Sequence, residues 1–137
     1  MIVEKSKNFN LEYIGLMLAD RKKVAEFIMH VEQHGLTGLP GRNKKSDNVS
    51  PNYHGYERVV KYAQEHKLWH YHAGFPEYQR SKAGDFTSEG IIHYQRFPDR
   101  IRLISITNHR GNFSLPKQKA FENIFFMTSL KTKNRPY

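Results

Sequence analysis

The stretch Lys67-Leu-Trp-His-Tyr-His-Ala-Gly-Phe75 decides how this chain is read. It is the first clear strand pattern after a largely helical first half, and its side chains alternate as a strand requires. Leu68, His70 and His72 fall to one side, Trp69, Tyr71 and Ala73 to the other. The side with the only tryptophan reads as core; the other turns two imidazoles towards solvent or a ligand. Two further strands follow at residues 90–97 and 100–108, and the Pro98-Asp99 turn between them is short enough to make them an antiparallel hairpin. They add His93, Arg96 and Arg102, and His109 and Arg110 lie just past the last of them. A small sheet with a basic, histidine-rich face is the expected centre of the fold.

Upstream of the strand, Tyr53, Tyr56, Val59, Val60 and Ala63 recur at helical spacing, which predicts a helix over 51–66. Ile14, Met17, Leu18, Val24, Phe27, Ile28 and Val31 predict helix from Leu11 to His34, with Asn8 or Asn10 as its cap and Gly35 as its stop. Gly15 and Ala19-Asp20 are places where that helix could divide. Residues 1–5 read as a short first strand. Residues 35–51 and 76–88 read as polar loops, the first carrying Arg42, Lys44 and Lys45, the second Arg80 and Lys82. Downstream, Phe121, Ile124, Phe125 and Leu130 predict a terminal helix over 116–130, followed by a basic tail. The sum is one α+β domain over 1–137, with N-terminal helices packed on an antiparallel sheet of three to five strands and a C-terminal helix.

Composition narrows the partners. The 137 residues suit one core, and 22 Lys and Arg against 13 acidic residues give a charge of +9 spread along the whole chain. Such a field favours polyanions: nucleic acid, the ribosome or an acidic protein. With no cysteine, disulfides and thiolate metal sites are excluded. Neither a signal peptide nor an apolar run of bilayer length is visible, so a cytoplasmic protein without membrane contact is expected.

Three chemistries compete for the sheet face. Cutting RNA without a metal needs a base for the 2′-hydroxyl proton, cations at the scissile phosphate and an acid for the leaving oxygen. His70, His72, His93, Arg96, Arg102, His109, Arg110 and Tyr71 include every residue type required. In this reading the loop cations Arg42, Lys44, Lys45, Arg80 and Lys82 hold the RNA backbone. Alternatively, His70-x-His72 with His93 could ligate a metal, although no carboxylate is clearly paired with them. In the third reading the basic, aromatic face binds nucleic acid without cutting it. No Gly-rich phosphate loop, GxSxG or kinase signature is present.

Leu68-Trp-His-Tyr-His72, Gly90-Ile-Ile-His-Tyr-Gln-Arg96 and Ile101-Arg-Leu-Ile-Ser-Ile-Thr-Asn-His-Arg110 resemble the RelE/ParE superfamily of bacterial toxins. Leu39-Pro40-Gly41-Arg42 and Tyr56-Glu57-Arg58-Val59 are similar to its YafO subgroup, and the resemblance covers about residues 36–126. It implies a type II toxin held in check by a cognate antitoxin, cleaving mRNA on the translating ribosome without metal or cofactor. ParE-like members poison DNA gyrase instead, which makes gyrase inhibition the alternative. Carried over by position, the resemblance points to His93 and Arg96 on the middle strand and His109-Arg110 after the last. The expected assignment has His93 or His70 as base, His109 as acid, and Arg96 and Arg110 on the phosphorane; Tyr71, His72 and Arg102 join the RNA contacts. The chain departs from many relatives in carrying histidines where they have Arg or Lys in the first of these strands.

Overall fold

The structure is a computed structural model that describes residues 1–108 and 114–125. β1 (Ile2–Ser6) runs straight into α1 (Lys7–Ile14), whose cap is Ser6, not Asn8 or Asn10: the Ser6 hydroxyl accepts the Phe9 N–H at 3.0 Å. The first helix does divide at Gly15, and α2 (Leu18–His34) then closes on Gly35, which takes φ 71° while its N–H bonds the Val31 carbonyl. β2 (Asn43–Lys45) lies inside the stretch expected to be loop. α3 (Tyr56–Glu65) leads into β3 (Leu68–His72), the organising strand. The second expected loop contains a small hairpin, β4 (Gln79–Arg80) with β5 (Phe86–Thr87). β6 (Gly90–Arg96) and β7 (Arg100–Asn108) form the long hairpin.

The expected C-terminal helix is not what residues 118–125 adopt. A single 3-10 turn, Gln118–Phe121, is followed by β8 (Ile124–Phe125), which pairs antiparallel with β1. Asn123 at φ 55° turns the chain out of helical geometry just where the helix would have continued. The remainder of that expected helix, the basic tail, and His109 and Arg110 lie outside the described residues.

The sheet order is β2-β3-β6-β7-β1-β8. The expectation of an antiparallel sheet fails at one place: β1 runs parallel to β7, which makes the sheet mixed. The crossover of α1, α2, α3 and five strands between β1 and β7 is long enough to allow that direction. One face of the sheet meets α1 and α2. Tyr71, Ile92, Tyr94, Ile101, Leu103 and Ile106 pack there against Phe9, Val24, Phe27 and Val31, with Phe27 stacked on Tyr71 at 4.6 Å between ring centroids. Each such large apolar side chain contributes about 1.5–3 kcal/mol.

A β-bulge decides which residues face the other way. His93 pairs with Ser105, but Tyr94 pairs with Leu103, leaving Ile104 as the extra residue. The slip turns Leu103 and Ile106 to the same core, although strict alternation would part them, and sends His93 and Ser105 to the opposite face. Cross-strand pairing there aligns Lys44, His70, His93 and Ser105 in one row. α3 and residues 114–118 stand over the His70 end of that face, joined by a 2.7 Å bond from the Tyr62 hydroxyl to the Pro116 carbonyl. Stacking of His66 on Phe121 at 4.3 Å closes the same seam. Among the described residues no helix is long and apolar enough to cross a membrane.

Candidate nucleic-acid interface

Between β2, α3 and residues 114–118 lies a cavity of about 1060 Å³. His70 is in its wall, together with Lys44 and Lys45 from β2, Arg42 just before it, Arg58 from α3 and Lys117. No carboxylate is among the described residues that line it. Five described cations around one concave surface make a strongly positive recess suited to a phosphodiester.

His70 differs from the other described histidines in this setting. Its Nδ1 lies 2.9 Å from the hydroxyl of buried Ser46, which β2 delivers because the Ser46 N–H bonds the Leu68 carbonyl at 2.9 Å. Burial pushes the imidazole down to about 4, and the nearby charges of His72, Lys44 and Arg42 add to the fall. His70 is therefore neutral at ordinary pH, with one ring nitrogen unprotonated.

Arg42 reaches the cavity under restraint. Its guanidinium holds Asp85 at 2.7 and 2.8 Å and Ser81 at 3.1 Å, which ties the β4–β5 hairpin to the cavity wall and keeps the Asp85 carboxyl well below the usual range. The Arg42 N–H also bonds the Phe86 carbonyl at 2.8 Å. Lys45 has Asp47 at 3.9 Å, a contact that leaves its charge largely available.

Several residues expected at the site are placed elsewhere. His93 is fully buried, its Nε2 3.0 Å from the Thr107 hydroxyl, so in this conformation it lies under the surface and does not face the cavity. Arg96, three positions on, points to the opposite face of the sheet by alternation and stacks on Trp69 at 4.5 Å. Tyr71 belongs to the apolar core: it is 2% exposed, and its hydroxyl is shared with Tyr78 at 2.9 Å and the Gly41 N–H at 3.1 Å. Arg102 is held by Glu4, a fully buried carboxylate that Arg100 also grips at 2.6 Å, and it stacks on Phe97. The charge of Arg102 thus compensates a buried group.

His72 sits beside His70, rings 5.8 Å apart, but its Nδ1 is engaged by the main chain of Ser88. Burial lowers the pKa of His72 as well. Arg80 stacks on Phe86 and bonds the Gly84 carbonyl within the small hairpin, and neither it nor Lys82 lines the cavity. His70 and His72 gain no third ligand: among the described residues no group of three His, Asp or Glu is arranged to hold a metal.

Of the expected set, then, Arg42, Lys44, Lys45 and His70 converge. Ser46, Arg58, Tyr62 and Lys117 join them without having been singled out. Arg58 and Lys117 look in sequence like any solvated cation, and only the packing of α3 and the 114–118 segment brings them to one wall. Comparisons with protein-family profiles, curated proteins and solved structures return no match to this chain.

Proposed function

We propose that this chain is an endoribonuclease toxin that cuts mRNA on the translating ribosome and is neutralised by a cognate antitoxin. The observation that carries the nuclease part is a neutral, half-enclosed His70 in the wall of a cavity lined by five cations and no described carboxylate. The toxin, ribosome and antitoxin parts rest on the sequence resemblance described above.

In the proposed reaction His70 takes the 2′-hydroxyl proton. The freed O2′ attacks the adjacent phosphorus, the bond to the 5′-oxygen breaks, and a 2′,3′-cyclic phosphate and a 5′-hydroxyl result once that oxygen is protonated. When Nδ1 carries the ring proton and donates it to Ser46, the basic lone pair is on Nε2. Lys44, Lys45, Arg58 and Lys117 stabilise the charge that grows on the phosphorane oxygens, a role the sequence had led us to expect of Arg96 and Arg110. The acid role falls to His109 as before, outside the described residues. No metal enters these steps.

The test is a reconstituted translation reaction in which transcript ends are mapped with and without ribosomes. Cleavage confined to translated transcripts is expected, and His70→Ala should lower its rate by about 10²–10⁴-fold while leaving the chain folded, read as an unchanged circular dichroism spectrum. Intact transcripts, or an equally active His70→Ala chain, overturn the reading.

Binding without cutting is the second reading. It is favoured by the placement of His93 under the surface and of Arg96 on the far face, which leaves His70 as the one described histidine lining the cavity. Tight, salt-sensitive RNA binding with no cut transcript would support it.

A further inference from the structure

At the end of the sheet, a cleft of about 510 Å³ opens between the end of α3 and the β6–β7 turn. Its walls include Trp69, Arg96, Lys45, Lys67 and Phe97. That volume is within the roughly 300–1,000 Å³ typical of small-ligand sites. We infer that this cleft is a second nucleotide subsite, in which an unpaired RNA base stacks on the guanidinium of Arg96. The inference rests on the reading of the His70 cavity as RNA-binding and adds to it a position for a flanking nucleotide.

Arg96 is prepared for that task. Its guanidinium carbon lies 4.5 Å from the Trp69 ring centroid, so the indole backs one side of the group. The residue is exposed, which leaves the other side open. Among the described residues Arg96 forms no ion pair. Asp47, the acidic residue in the cleft wall, is occupied by the Gln64 amide at 3.1 Å and by Lys45 at 3.9 Å. Anchoring is firm as well, because the Arg96 N–H bonds the Lys67 carbonyl at 3.1 Å and fixes the strand end to the start of β3. A planar cation already stacked on an indole offers a base a flat, ordered partner, which a lysine would not.

The route between the two sites follows the sheet edge. Lys44 and Lys45 are consecutive on edge strand β2; Lys44 pairs across from His70 and Lys45 across from Trp69. Lys45 lines both the cavity and the cleft. A single strand whose phosphates pass Lys44 and then Lys45 therefore runs along that edge from the cavity to the cleft. Stacking of this kind tolerates any base, so the subsite would hold the strand without selecting its sequence.

The chain's single tryptophan is Trp69, so its emission reports on this cleft alone. The probe is a six-nucleotide RNA methylated at every 2′-oxygen, which cannot be cut, beside an abasic strand of the same length; both are end-labelled for anisotropy. Titrated into the full chain, the base-bearing strand should shift the tryptophan emission saturably, and the abasic strand should not. Arg96→Ala should weaken binding of the base-bearing strand by roughly 5- to 150-fold, the range found when a stacking platform is removed. Arg96→Lys keeps the stem over the indole and the charge, yet should not restore the loss. Binding seen by anisotropy with unchanged emission, or wild-type affinity in Arg96→Lys, overturns the subsite and leaves the cavity reading standing. No binding of either strand by anisotropy overturns both.

Discussion

At the scale of single residues, the consequential fact is that His70 is held far from its ordinary pKa. Burial and the cations around it bring the value from 6.5 to about 4. The unfolded chain takes up a proton near pH 6.5 that the folded site refuses until about pH 4. The stability tied to this site is therefore complete above pH 6.5 and is lost as the pH falls from 6.5 towards 4. His72 shifts in the same direction and deepens the loss. The acid limb of the RNA-cleavage profile should lie near pH 4 for the same reason. Lys44→Ala removes one of the positive charges that oppose protonation, so a proton NMR titration should find the His70 ring titrating at higher pH in the variant. An unmoved or lower midpoint would show that Lys44 does not act on His70. Arg102 stands apart from the site: a cation engaged with a fully buried carboxylate is committed to the fold before any ligand arrives.

Among the elements, the junction of β2 with the β4–β5 hairpin matters most, since it carries Arg42 to the cavity and delivers Ser46 to His70. Gly41 is its pivot. A Cβ there would overlap the His72 carbonyl oxygen and come within 2.9 Å of the Tyr78 ring. The obstacle is main chain, which cannot rotate aside. Gly41→Ala should therefore cost about 1–3 kcal/mol, read as a lower midpoint in urea with the slope unchanged. Wild-type stability in that variant would mean that the junction is looser than its contacts imply. β2 itself was hard to see in sequence, because Asn43-Lys-Lys45 has none of the β-branched or aromatic residues that usually announce a strand. Pairing with β3 makes it a strand: an edge position asks only for backbone hydrogen bonds on one side. The expected terminal helix failed for a related reason. Two residues after Asn123 find partners on β1, and a sheet edge outweighs a weak helical pattern.

For the whole molecule, charge is the quantity with consequences. A net charge of +9, five of whose cations surround one cavity, should make RNA affinity fall steeply with salt. For single strands the slope of log K against log salt is about −0.7 for each phosphate neutralised. Lys44→Ala should reduce the magnitude of the slope measured with an uncleavable RNA by about 0.7. An unchanged slope would remove Lys44 from the phosphate path and with it much of the case for this cavity. The arrangement of α1 and α2 on one face and α3 with residues 114–118 on the other also explains why one side of the sheet is closed by apolar side chains while the other keeps an open, polar cavity.

Local pattern alone settled the α+β class, the β6–β7 hairpin and the placing of His70 and Tyr71 on opposite sides of β3, and it offered Gly15 as one of two places where the first helix could divide. These follow from two short-range facts, the two-residue repeat of a strand and the 3.6-residue repeat of a helix. His93 and Arg96 were grouped on one face by residue type, and the structure puts them on different faces. Only the tertiary structure decided the rest. The parallel seating of β1, the bulge at Ile104, the burial of His93 and Glu4, and the meeting of Arg58 and Lys117 with His70 all depend on partners distant in sequence. Exposure and charge pairing are properties of what packs against a residue, so a histidine committed to the interior and a histidine on a cavity wall read alike until the chain has folded.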